Sequence, residues 1–278
     1  MSGIYNLVVP QRVQKDSAPS VLERFRSAIR QSDYPYSSAS IILAFEGGSV
    51  MHGASVGNDD HDYYAVYLEP PAVKLGLHPV EHHVWSTSDN TRKNSRDDID
   101  LVMYSLTKFA RLAAAGNPTI LHFLFVENAL GSNSCWDYVT AHSTSFLARS
   151  HLRKFIGYAD AQFERLTGKR ARKQFRPELL EKYGFDTKAA MHGIRLMYEA
   201  LDLLGEGKMT FPNPHAEHLI AIRKGKYSLE QIVQQYEDLK RQCVKQQQRS
   251  PLAEEVDKDR INRVLANVYQ SFWHPDSF

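Results

Sequence analysis

Near residue 150 the spacing of apolar residues changes period, and that change limits the folds open to the chain. Before it, short β-rich apolar runs are bounded by turn residues: "SIILAFEG" (Ser40 to Gly47), "DYYAVYLEPP" (Asp62 to Pro71) and "DDIDLVMYSL" (Asp97 to Leu106). Each reads as a strand, the first closed by glycines and the second stopped by two prolines. A short helix precedes them, with Ser20 as its cap and Val21, Phe25 and Ile29 on one face,. Another follows the third strand, with Leu106, Phe109 and Leu112–Ala113 on one face and "AGNP" ending it,. The polar stretch from Lys74 to Arg96 is expected to be a loop or hairpin excursion, and "TILHFLFVEN" an apolar helix or strand. After residue 150 the period is helical throughout, predicting helices near 150–167, 186–205, 214–223, 228–248 and 257–273 with turns at "GFD", "FPNP", "GKYS" and "SPLAEE",. The expectation is an α/β (α+β) protein: one domain over 1–140 and a helical one over 141–278.

Composition excludes several classes. The chain has 278 residues, 42% hydrophobic and 24% charged, as in ordinary globular proteins,. No apolar run approaches the ~20 residues of a membrane helix. The opening "MSGIYNLVVPQRVQKD" lacks the basic start and apolar core of a signal peptide,. Cys135 and Cys243 match no metal spacing, so plain thiols in a reducing cytoplasm are expected,. Charge is unevenly spread. Residues 1–150 carry 12 Lys and Arg against 15 Asp and Glu, and residues 151–278 carry 22 against 17. The run "RLTGKRARKQFRP" (Arg165 to Pro177) has six basic residues and no acidic one. It could attract phosphates, with Phe175 stacking on a base, and a solvated helix end and loop fits it equally well.

The chemistry concentrates in "FEGGSVMHGASVGNDDHDYYAVYLEP" (Phe45 to Pro70). Gly47-Gly48-Ser49 can turn into a short helix whose N–H groups and hydroxyl would hold a triphosphate. Residues i and i+2 of a strand share a face, so Asp60 and Asp62 present two carboxylates side by side. Unpaired, they repel and at least one pKa rises. Mg²⁺, an oxygen-seeking ion often held by a couple of carboxylates plus substrate phosphates, removes that cost. A two-metal site needs a third acid, and the next strand offers Asp98 and Asp100, again at i and i+2,.

Gly-Ser followed after ten residues by "DHDYYAVYLEP" resembles the signature of the DNA polymerase β nucleotidyltransferase superfamily. More narrowly, the chain is similar to the RlaP-like nucleotidyltransferases associated with RNA repair in bacteria and phages. The likeness extends to "MYSLTKFARLAAAGNPTILHFLF", "KYGFDTKAAMHGIRLMYEALDLLGEG" and "AIRKGKYSLEQI", covering nearly everything after residue 40. It implies a catalytic domain with a small mixed sheet, followed by a helical domain that binds nucleotide or nucleic acid. Gly48 and Ser49 would contact the triphosphate, and Asp60 and Asp62 would hold metal. Asp100 fits the third acidic position, four residues before Tyr104, with Asp98 as second choice. Two positions depart from the pattern: Val50 stands where relatives often carry arginine or another polar residue, and His52 where an aromatic is usual.

Asp186 is a good N-cap for the helix that follows. Lys188, His192 and Arg195 lie at i, i+4 and i+7 on one face of it, opposite Ala190, Ile194, Met197, Leu201 and Leu204,. Spacing alone favours a plain amphipathic helix with a solvated basic side. The resemblance turns that face toward the cleft, where its cations would hold nucleotide phosphates or the acceptor end. The implied activity is Mg²⁺- or Mn²⁺-dependent transfer of NMP from an NTP to an acceptor hydroxyl, with an RNA 3′ end, such as that of a tRNA, as acceptor. AMP transfer to a protein hydroxyl and RNA binding by an inactive site are the alternatives.

Overall fold

A computed structural model describes residues 20–57, 60–88, 97–166 and 176–274. The basic residues between Gly168 and Phe175, and Phe175 itself, lie outside the described residues. Among the described residues five strands form one mixed sheet: β1 (Ile41–Glu46), β2 (His61–Tyr67), β3 (His82–Ser86), β4 (Ile99–Ser105) and β5 (Gly131–Ser132), in the order β3-β4-β2-β1-β5. β1 and β2 are antiparallel, whereas β2 and β4 run parallel, with Asp62 opposite Asp100 and Ala65 opposite Met103. The three expected strands are therefore β1, β2 and β4. The stretch expected as a loop or hairpin excursion contributes β3, an edge strand antiparallel to β4.

Helices α1 (Val21–Gln31), α2 (Gly48–Met51), α3 (Pro71–Lys74), α4 (Leu106–Ala114), α5 (Pro118–Leu121) and α6 (Ser134–Ala141) punctuate the sheet. The apolar "TILHFLFVEN" is helical: α5, then a 3-10 turn over His122–Phe125. Beyond it come α7 (Leu152–Leu166), α8 (Pro177–Tyr183), α9 (Thr187–Glu206), α10 (Ala216–Arg223), α11 (Leu229–Arg249) and α12 (Lys258–Trp273). The mixed sheet and the helical C-terminal region give an α+β protein.

Strand alternation sorts the sheet into two faces. On one, α1 packs Phe25 and Ala28 against Tyr63, Ala65, Tyr67, Leu101 and Met103. Residues one step out of phase on β2 and β4, including Asp62, Tyr64, Asp100 and Tyr104, belong to the other face. There a single apolar cluster runs from Ile42, Phe45 and Val66 through α4, α6 and α7 to α9, α11 and α12. α9 is its axis: a Cβ at Gly193 would overlap the ring of Phe163 on α7, so glycine lets these helices touch. α12 returns to the sheet, where Tyr269 Oη donates to the buried Glu69 and Trp273 Nε1 donates to the Glu69 carbonyl at 3.0 Å.

Candidate active site

The loop from β1 to β2 is built around one close approach. Gly47 donates its N–H to the Asp62 carbonyl at 2.8 Å, joining the end of β1 to the start of β2. Gly48 then takes φ +60°, and a Cβ there would collide with the Asp62 carboxylate. Only glycine satisfies both demands. Ser49 opens the turn beyond it, and the Ser49 carbonyl accepts from Ala54 N at 3.0 Å, folding the loop back. The sequence reading of a tight turn into a short helix corresponds to α2.

Asp60 immediately precedes β2 and Asp62 is its second residue. The Asp62 pKa is pushed up to about 6, first by burial and then by the charges of Asp60 and Asp100. Lys188 pulls it the other way. Of the two options for a third acid, Asp100 is the one brought to Asp62, by the parallel register, and its Oδ1 accepts from Ser86 Oγ at 2.5 Å. Asp98 is turned into the protein. It is 3% exposed, accepts from Thr87 Oγ1 at 3.3 Å and gives its carbonyl to His61 N. Behind the carboxylates, Arg24 of α1 donates to His61 Nε2, and His61 Nδ1 lies 2.5 Å from Glu46 Oε1. This chain fixes the backbone between Asp60 and Asp62 from the far side of the sheet.

A cavity of about 280 Å³ opens beside Asp60 and Asp62, and its lining does not include Asp100. Gly48, Ser49, Asp60 and Asp62 line one side, and Lys188, His192 and Arg195 of α9 line the other. Four residues of α2 and the start of β2 thus share a cavity with three residues more than a hundred positions away. The helix spacing counts His192 with the cations, but burial and the surrounding Arg195, Lys188, Arg176 and Arg223 depress its pKa well below the ordinary histidine value. It stays neutral. Arg223 of α10, which the sequence reading did not single out, also lines the cavity and donates to the Ala54 carbonyl at 3.0 Å. It lies in "AIRKGKYSLEQI", the signal by which it could have been found.

Three lining residues, His52, His122 and Arg195, meet around a buried carboxylate that spacing did not reveal. Glu199, 1% exposed, accepts from Arg195 Nη1 at 2.7 Å and from His122 Nε2 at 3.1 Å. Arg195 Nη1 also donates to His52 Nε2 at 2.6 Å. Burial would raise the Glu199 pKa, but Arg195 and the His122 hydrogen bond outweigh it and hold the carboxyl well below the usual range. Burial and Arg195 push His52 down, so it is neutral. His52, His122 and Glu199 bring ligand atoms within 4.8 Å of one another, as a metal site would. Arg195 Nη1 already bridges His52 and Glu199, however, so the charge opposing this carboxylate is a guanidinium.

A sequence model of the RNA repair pathway DNA polymerase beta family, RlaP, matches residues 18–277. The chain is 30% identical over 120 residues to the uncharacterized 38.9 kDa protein in the nrdC-mobD intergenic region of Enterobacteria phage T4, a match covering 41% of this chain and 35% of that protein. It thus spans about a third of that relative's length. The crystal structure of a nucleotidyltransferase-like protein from Exiguobacterium sibiricum overlaps 82% of this chain and 74% of its own, at 12% identity and a TM-score of 0.31. Among the described residues no helix is long and apolar enough to cross a membrane. By its near full-length match the chain belongs to the RlaP family, the RNA repair pathway DNA polymerase beta family.

Proposed function

We propose that the protein transfers a nucleoside monophosphate from an NTP to a hydroxyl at an RNA 3′ end, releasing pyrophosphate. The observation that carries this reading is the cavity itself, with acids on the sheet facing Lys188, Arg195 and Arg223 on helices. Such a site suits a polyanion that must also meet metal.

The residues fit a divalent cation. Asp62 is pushed up to about 6 because it is buried beside Asp60 and Asp100, a repulsion that a cation between the carboxylates relieves,. Asp60, Asp62 and Asp100 would hold Mg²⁺ or Mn²⁺, which when bound supplies charge neutralisation at the α-phosphate and acidifies the acceptor hydroxyl. The chain's own residues do the rest. The α2 backbone and the Ser49 hydroxyl cradle the triphosphate. Lys188, Arg195 and Arg223 neutralise its outer oxygens, and neutral His192 can donate or accept a hydrogen bond there. Asp100, its Oδ1 oriented by Ser86, receives the proton of the acceptor hydroxyl at Oδ2,. No covalent enzyme intermediate is needed, because in-line attack asks mainly for positioning and charge.

The test is incorporation of each α-labelled NTP, with Mg²⁺, into short RNAs and tRNAs. Label at RNA 3′ ends that is lost in Asp60→Ala/Asp62→Ala is the expected result. Label on protein instead of RNA would replace the acceptor. RNA binding without any label transfer would remove the catalytic reading.

A further inference from the structure

We propose that Glu199 is a positioning residue for the triphosphate: it pins the Arg195 guanidinium at the cavity and ties the turn after α2 to α9 through His52. The inference rests on the reading of the cavity as a nucleotide site.

Hydrogen-bond chemistry fixes the arrangement. A guanidinium only donates, so His52 Nε2, 2.6 Å from Arg195 Nη1, must accept,. The proton of neutral His52 is therefore on Nδ1, which lies 3.3 Å from Glu199 Oε1. A carboxylate only accepts, so His122 Nε2 carries the proton shared with Glu199 Oε2,. One carboxylate thus gathers donors from α9 and from the turn that follows α5, and Arg195 carries the link on to His52, the residue that follows α2. Its partners His52 and Arg195 are 143 residues apart in sequence.

A buried ion pair could be mere packing, but Arg195 carries a second sign. Its Nε–H is buried and has no hydrogen-bond partner, although the residue is only 8% exposed and lines the cavity. Nη1 is taken by Glu199 and His52, and Nη2 lies 3.5 Å from His192 Nδ1. A buried donor without an acceptor is rare in folded proteins and calls for an explanation; of the buried unpartnered side-chain atoms among the described residues, the Arg195 Nε is the one whose residue lines the cavity,. Pinned by Glu199, the guanidinium keeps Nε–H in reserve for an anionic oxygen.

Electrostatics and positioning predict opposite signs. Glu199 is a negative charge beside the proposed triphosphate site, so by Coulomb's law its removal should tighten anion binding. As a positioning residue, its removal should loosen binding. The experiment is calorimetric titration of inorganic tripolyphosphate with Mg²⁺ into wild type, Glu199→Gln and Glu199→Asp. The expected result is at least a tenfold rise in Kd for Glu199→Gln, with Glu199→Asp in between. Affinity equal to or tighter than wild type in Glu199→Gln overturns the inference. A wild type that binds no tripolyphosphate overturns the site reading itself. Should the variants fail to fold, the wild type still decides the matter. The ¹⁵Nε–H signal of Arg195, assigned by its absence in Arg195→Lys, should move on addition of tripolyphosphate, and a signal that stays in place overturns the inference.

Discussion

Gly48 and Asp62 cannot be varied independently, because the backbone of one occupies the space beside the carboxylate of the other. Gly48→Ala must displace Asp62 while also holding φ +60°, a strain of about 1–3 kcal/mol,. We expect it to lower stability by that order in urea denaturation and to reduce nucleotide incorporation at least ~100-fold, a loss of about 2.7 kcal/mol in transition-state stabilisation. Asp62 also sets a pH dependence. Its pKa is raised from 3.8 to about 6, so its contribution to folding is fully present below about pH 4 and is lost as pH rises through about 6,. Above that, the ionised group opposes folding by on the order of 3 kcal/mol. A divalent cation cancels this term only where Asp62 is ionised. Mg²⁺ should therefore raise Tm more at about pH 7.5 than at about pH 5, as read by scanning calorimetry, and equal shifts would remove Asp62 from the metal set. The carboxylates were legible because i and i+2 on a strand is a local rule. Glu199 and His122 were not, since they meet across 77 residues and no local spacing encodes that.

Among the elements, α9 does two jobs with opposite demands. Its Ala190, Ile194 and Met197 side is buried in the core, as the apolar period predicts. Its Lys188, His192 and Arg195 side faces the cavity, where a lone helix would have offered those groups to water. Both ends of the helix were readable: Asp186 accepts from Lys188 N and Ala189 N at 3.0 Å, and Gly207 closes the other end in a left-handed conformation,. What spacing could not supply is depth. Gly193 admits the Phe163 ring, so Gly193→Ala should separate α7 from α9 and cost about 1–3 kcal/mol, measured by urea denaturation,. β3 was expected only as part of a loop or hairpin excursion, for a different reason. Its residues alternate exposed and half-buried, with His82 and Ser86 on the outside, so it carries little apolar pattern and is held by backbone pairing with β4,.

At the scale of the whole molecule, one apolar cluster joins the sheet to the helices, and α12 closes it from the far end of the sequence. The closure has a polar latch: the Glu69 side chain, 1% exposed, accepts from Tyr269. Tyr269→Phe leaves that carboxylate short of a donor, and we expect a loss of about 1–3 kcal/mol, seen as a lower urea midpoint with an unchanged m-value. The mixed sheet and the run of helices were legible from hydrophobic period; the docking of α12 on Glu69 was not, because the pair spans 200 residues. The two walls of the cavity, one from residues 48–62 and the other from 188–223, carry a further consequence. A recombination breakpoint anywhere between them would hand each descendant gene half a site: acids without cations, or cations without acids. Only exchange of the whole segment from 48 to 223 would carry both walls of the site together.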